Sequence, residues 1–89
     1  MPRFSGMDLD QIEILSKTLL TESEKIKQEA NAMTTTLEHL PWVGNDQKRF
    51  IEEWKTKYLP ALLNAATGFE TAAGQASMHV RKQRLASRR

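Results

Sequence analysis

Cysteine is absent from this 89-residue chain, which excludes disulfide staples and thiolate metal sites together. A domain of this size buries only about 60 to 65% of its unfolded surface, so stability is expected to draw on a partner chain. No apolar run approaches the roughly 20 residues needed to span a bilayer, and the mean hydropathy of −0.56 agrees. A soluble protein with no membrane span is expected. The opening stretch Met1-Pro2-Arg3-Phe4-Ser5-Gly6-Met7 leads straight into acids at Asp8 and Asp10 and lacks the apolar core of a secretory signal peptide. Residues 1–7 read as a flexible N-terminus, and any export is expected to follow a signal-peptide-independent route.

The residue patterns of catalysis are missing as well. His39 and His79 are the only histidines, and a hairpin places them near opposite ends. No phosphate loop, metal cluster or nucleophile elbow is present, and Glu52-Glu53 read as helix-surface residues. The expectation is a non-enzymatic protein with no cofactor, no metal and no small-molecule substrate.

Charge is present but uneven. Residues 8–40 hold seven acids and three bases, whereas 41–89 hold four acids and nine bases, within a net charge of +2. No acid follows Glu70, and Arg81, Lys82, Arg84, Arg88 and Arg89 form a basic tail over 81–89. No aromatic is interleaved with these bases to stack on nucleotides, so nucleic-acid binding is expected to be weak and nonspecific. A nucleic-acid-associated bundle using this tail remains an alternative reading, as does a structural hairpin with no transport role.

Proline and glycine are absent between Asp8 and Leu40, and there the pattern is helical. Asp8 is placed to cap, with Gln11 three residues on and acids in the first turn. Ile12, Leu19, Ile26, Met33 and Leu40 recur every seventh residue, with Leu9, Ser16, Ser23, Ala30 and Leu37 as the companion line. One helix over 8–40 is predicted. Pro41 ends it, Gly44 allows positive φ in a turn over 41–45, and Asn45 or Asp46 caps a second helix over 46–80. That helix carries the stripe Ile51, Trp54, Tyr58, Leu62, Ala65, Phe69, Ala72 and Ala76, with a kink expected near Thr56 to Pro60 and the stripe's phase kept on both sides.

Folding back at Val43 sets residue i opposite roughly residue 85 − i. Small Ser16 and Ser23 then fall opposite Phe69 and Leu62, and large Ile12 and Leu19 opposite alanines, an interlocking of sizes suited to dense packing. A second apolar set, Phe50, Leu59, Leu63, Ala66 and Ala73, lies beside the first stripe and calls for another surface. The fold class expected is all-α: an antiparallel helix-turn-helix hairpin, residues 8–80, that dimerises into a four-helix bundle. The packing residues are Ile12, Leu19, Ile26, Met33 and Leu40 with Phe50, Trp54, Tyr58, Leu62 and Phe69.

With the turn so placed, Trp42-Val43-Gly44 resembles the signature of the WXG family of small helical-hairpin type VII secretion substrates (ESAT-six-like). Phe50, Trp54 and Leu59-Pro60-Ala61-Leu62 resemble the second helix of actinobacterial members. The resemblance spans residues 8 to 85. It implies a bundle of two antiparallel hairpins, a homodimer or a pair with a paralogous WXG protein. It further implies recognition by the secretion ATPase through the tip at Trp42 and Gly44, and a protein cytoplasmic before export. The family's export signal, a tyrosine followed four residues later by Asp or Glu, is missing: Tyr58 is followed at that distance by Leu62. The resemblance then implies a signal borrowed from a partner, an adaptor role for a larger toxin, or a different signal.

Overall fold

The Asp8 carboxylate accepts the Asp10 backbone N–H at 2.8 Å from an extended residue, satisfying one of the helix's orphan donors. From it, α1 runs Leu9–His39. Leu40, the residue before Pro41, is extended at φ −70, ψ 140, because the proline ring disfavours a helical conformation there. The computed structural model describes residues 8–42 and 44–87; the sequence-based expectations for residues 1–7, Val43, Arg88 and Arg89 lie outside them. Gly44 has φ 81, the one positive φ among the described residues, which favours glycine. Asn45 occupies the N-cap position of α2 (Asp46–Glu53) but makes no side-chain cap bond.

A π-helical turn, Trp54–Tyr58, joins α2 to α3 (Leu59–Ser87). Its wider ring closes where the Leu59 N–H donates to the Trp54 carbonyl. The turn sits where Pro60 lacks an N–H and crowds the carbonyl of Thr56, so the expected disturbance near Thr56 to Pro60 takes the form of an added residue in the turn. The helix continues to Ser87 rather than stopping at residue 80, which puts Arg81, Lys82 and Arg84 on its last turns. The result is an all-α, two-armed, antiparallel hairpin measuring 68 × 20 × 17 Å.

Two expectations about the seam are corrected. First, Ser16 donates to the Ala73 carbonyl at 2.9 Å, so residue i faces roughly residue 89 − i rather than 85 − i. The reversal is centred near Gly44 and Asn45, because the turn and the π ring take up chain that the simple fold-back at Val43 ignored. Second, the stripe does not keep its phase past Pro60. The extra residue of the π turn advances it by one, so of the expected stripe only Ala76 is buried in α3, and the other buried residues there are Ala66, Ala73 and Val80 rather than Leu62, Ala65, Phe69 and Ala72.

The seam is therefore small against small. On α1 the buried positions are Ile12, Ser16, Ser23, Ala30 and Leu37. Small side chains let two backbones approach closely but bury little apolar area. The largest fully buried side chain is Ile12, which packs with Ala76 and Val80, and with half-buried Leu9, at the open end. Every buried polar side-chain atom among the described residues has a partner, as the two seam serines require.

Candidate interaction surfaces on the hairpin

An α-helix advances about 100° per residue, so the seam line Ser16–Ser23–Ala30–Leu37 divides α1 into two flanks. Asp10, Glu13, Lys27 and Glu38 lie on one. There they make the ion pairs that tie α1 to the other arm: Arg84 with Asp10 at 2.8 Å and Glu13 at 3.0 Å, Lys27 with Glu70, and Lys55 with Glu38 at 3.0 Å. Exposed Leu20 and Leu63 lie among these charges. Lys27 and Glu70 shift each other's ionisation. The Glu70 hydrogen bond raises the Lys27 ammonium above its ordinary 10.5, and the Lys27 and Ser23 hydrogen bonds lower the Glu70 carboxyl below 4.5.

The other flank is apolar. By the same rotation Leu15, Leu19, Ile26 and Met33 follow one another along α1, and Leu62 and Phe69 lie two turns apart on one face of α3. Their meeting point is a groove of about 190 Å³ lined by Ile26, Glu29, Ala30, Met33, Trp54 and Leu62. Met33 is 49% exposed and Leu62 38% exposed. Trp54 spans the seam here: its ring lines the groove while its indole N–H donates to Thr34 Oγ1 at 2.7 Å. Tyr58, half exposed, stands beside it with ring centroids 6.3 Å apart. Of the ten residues assigned to packing from the sequence, only Ile12 is buried within the hairpin. Leu19, Ile26, Trp54 and Phe69 are half-buried, and Met33, Leu40, Phe50, Tyr58 and Leu62 are exposed.

At the tip, Trp42 closes the C-terminus of α1. Its indole N–H donates to the Leu37 carbonyl at 3.3 Å, and the Gln47 amide reaches the Leu37 and Leu40 carbonyls at 3.5 and 3.4 Å. These are carbonyls that the ended helix leaves without intrahelical donors. The Trp42 ring stacks on Phe50 with centroids 5.7 Å apart, and Phe50 keeps 42% of its surface exposed; Leu40, at the end of α1, is exposed as well. Trp42 is thus structural on one side and contributes to an aromatic tip on the other. Gln47 was not singled out by sequence reading, and neither was the cluster of Ser23, Lys27 and Glu70. Polar residues at helical spacing look alike in sequence until the register between helices is known.

At the open end Arg81 and Arg84, with Glu13, Ser77, Val80 and Leu85, line a shallow hollow of about 290 Å³. Arg84 is paired there with two carboxylates of α1, and Arg81 and Lys82 are exposed beside it. His39 Nδ1 lies 2.8 Å from the Thr35 carbonyl in the last turn of α1. Among the described residues no group of three His, Cys, Asp or Glu is arranged to hold a metal ion, and no helix is long and apolar enough to cross a membrane. Comparisons with family models, with curated proteins and with solved structures each returned no match.

Proposed function

We propose that this chain is a non-enzymatic WXG-type protein of a type VII secretion system, an effector or adaptor whose working form is a dimer. Its role is recognition. The observation that carries this reading is the division of labour along the rod: the hairpin's own seam uses small residues, while Leu15, Leu19, Ile26, Met33, Leu62 and Phe69 are left on one flank. Such a flank suits a second hairpin laid along it to complete a four-helix bundle. The partner is a second copy, or a paralogous WXG protein of the same build.

Trp42 and Gly44 sit at the end of that rod, where the stacked Trp42 and Phe50 present an apolar surface to the secretion ATPase. The chain remains cytoplasmic until export. Because Leu62 stands where the export signal needs an acid after Tyr58, a paralogous partner would supply that signal, whereas a pair of identical chains would serve as an adaptor or use a different signal. The basic end plays no part in sequence-specific nucleic-acid recognition.

The experiment is solution mass by sedimentation over a concentration series, with helix content followed in parallel, and then secretion of two Trp42 variants. A helical species of about twice the 10.2 kDa chain mass supports the second copy as partner. A poorly helical monomer that folds only with a paralogue assigns the partnership to that protein. A helical monomer that stays monomeric at every concentration, with or without a paralogue, defeats the dimer reading. Trp42→Phe keeps a ring against Phe50 but cannot cap the Leu37 carbonyl, whereas Trp42→Ala loses both. Recognition through the ring predicts that secretion survives in the first and is lost in the second; equal secretion of both with the parent removes the tip from the mechanism.

A further inference from the structure

The small-residue seam poses a problem of register. Its positions repeat every seventh residue, Ser16, Ser23 and Ala30 on α1 against Ala66, Ala73 and Val80 on α3, and all six are buried. Sliding α3 by one heptad along α1 sets Ser23 against Ala73 and Ala30 against Ala66, again small against small. Apolar packing alone scarcely distinguishes the two pairings. The tether between the arms is permissive, because neither α2 nor the π turn buries a residue. Unwinding α2 yields the chain needed for a slip that moves the reversal toward residue 48. The opposite slip is blocked, since it would place the reversal at Pro41.

Polar contacts do distinguish them. Ser23, fully buried, donates to Glu70 Oε1 at 2.9 Å, and Lys27 pairs with the same carboxylate. In the slipped pairing Glu70 would face Ala30 and Thr34, with no cation, and Ser77 would stand in its place beside Ser23 and Lys27. Only one register gives the carboxylate both a hydroxyl and an ammonium. We propose that Ser23, Lys27 and Glu70 act as a register lock, selecting one of two heptad-related pairings of α1 with α3. The lock also fixes where Trp54 lands on Thr34, and with it the shape of the groove between Ile26, Met33 and Leu62. It holds whether or not the chain belongs to a secretion system.

The lack of native cysteine makes disulfide trapping a clean test. Ala76→Cys is combined with Ile12→Cys, which packs against it in the described register. Alternatively it is combined with Leu19→Cys, seven residues and about 10 Å of helix rise away, beyond disulfide reach. Oxidation of the full chain, read by peptide mapping of intrachain disulfides, gives the ratio of the two pairs. The first should dominate in the otherwise unchanged protein. Glu70→Ala should lower that ratio about tenfold, the loss expected for charge-assisted hydrogen bonds, and the exchange Lys27→Glu with Glu70→Lys should restore it. A ratio unmoved by Glu70→Ala, or left low by the exchange, overturns the lock. Should Glu70→Ala lose its helix content, Glu70→Gln replaces it: its amide oxygen still accepts from Ser23 while the charge is gone, and an unchanged ratio there is equally fatal.

Discussion

The seam inside the hairpin and the flank outside it are made of opposite materials. Inside, serine and alanine bring two helices close, and hydroxyls and ion pairs set their alignment. Outside, leucine, isoleucine, methionine and phenylalanine stand half-exposed along the rod. Most globular domains put the second set in the middle. The inversion teaches that the hairpin is specified by geometry more than by buried area, and that the larger part of its apolar surface remains available.

The contrast is broken most sharply at the largest fully buried seam residue. Ile12→Ala should cost about 3 kcal/mol, the range for emptying a fully buried aliphatic site, measured as a loss of helix in urea titration. Overfilling comes next: Ala66→Leu inserts three carbons where exposure is 0% and should cost about 2 kcal/mol. Gly44→Ala forces a side chain into φ 81, although the space around it is open. It should cost about 1 kcal/mol. On the outer flank, Ile26→Ser with Met33→Ser should change the isolated hairpin by only about 0.5 kcal/mol per site while abolishing the proposed assembly, which sedimentation would check. A comparable loss of hairpin stability would show that the two regions are not separable.

The smallest effect sharpens the polar side. Glu70, with its carboxyl held low by Lys27 and then Ser23, contributes stability that is fully present above the unfolded value near 4.5 and is lost as pH falls through the lower folded value. Lys27, held high chiefly by the Glu70 hydrogen bond, contributes stability present below 10.5 and lost as pH rises through the higher folded value. Thermal melts should therefore show this contribution constant through neutrality, with losses only at the two extremes. Lys27→Met should remove the high-pH loss, and its persistence would assign it to another group.

Much of the fold is legible in the sequence. The uninterrupted run from Asp8 to Leu40, the capping aspartate, Pro41 as terminator and Gly44 in the turn are local signals, and the structure places each as read. The seam was not legible, because it depends on a count. A π turn inserts one residue between Trp54 and Tyr58, and every position of α3 beyond it changes phase. Ala66 and Ala73, assigned from sequence to a second surface, became the seam, while Leu62 and Phe69 moved outward. Of the interaction surface, Trp42 could be found from its place beside the turn glycine. Its bond to the Leu37 carbonyl, the Gln47 cap and the Ser23–Glu70 contact could not, since each joins residues whose proximity only the register creates.

That π turn has a consequence of its own. Rotation along a helix accumulates, so the bearing of Phe50 on α2 relative to Leu62 and Phe69 on α3 is encoded by how many residues separate them, independent of which residues they are. Removing Thr56 would restore plain helical winding and swing Phe50 about a quarter of a turn relative to Leu62 and Phe69. The side chains that form each surface would be untouched. The hairpin is in this sense a dial, and its setting is a matter of arithmetic in the chain rather than of affinity between surfaces.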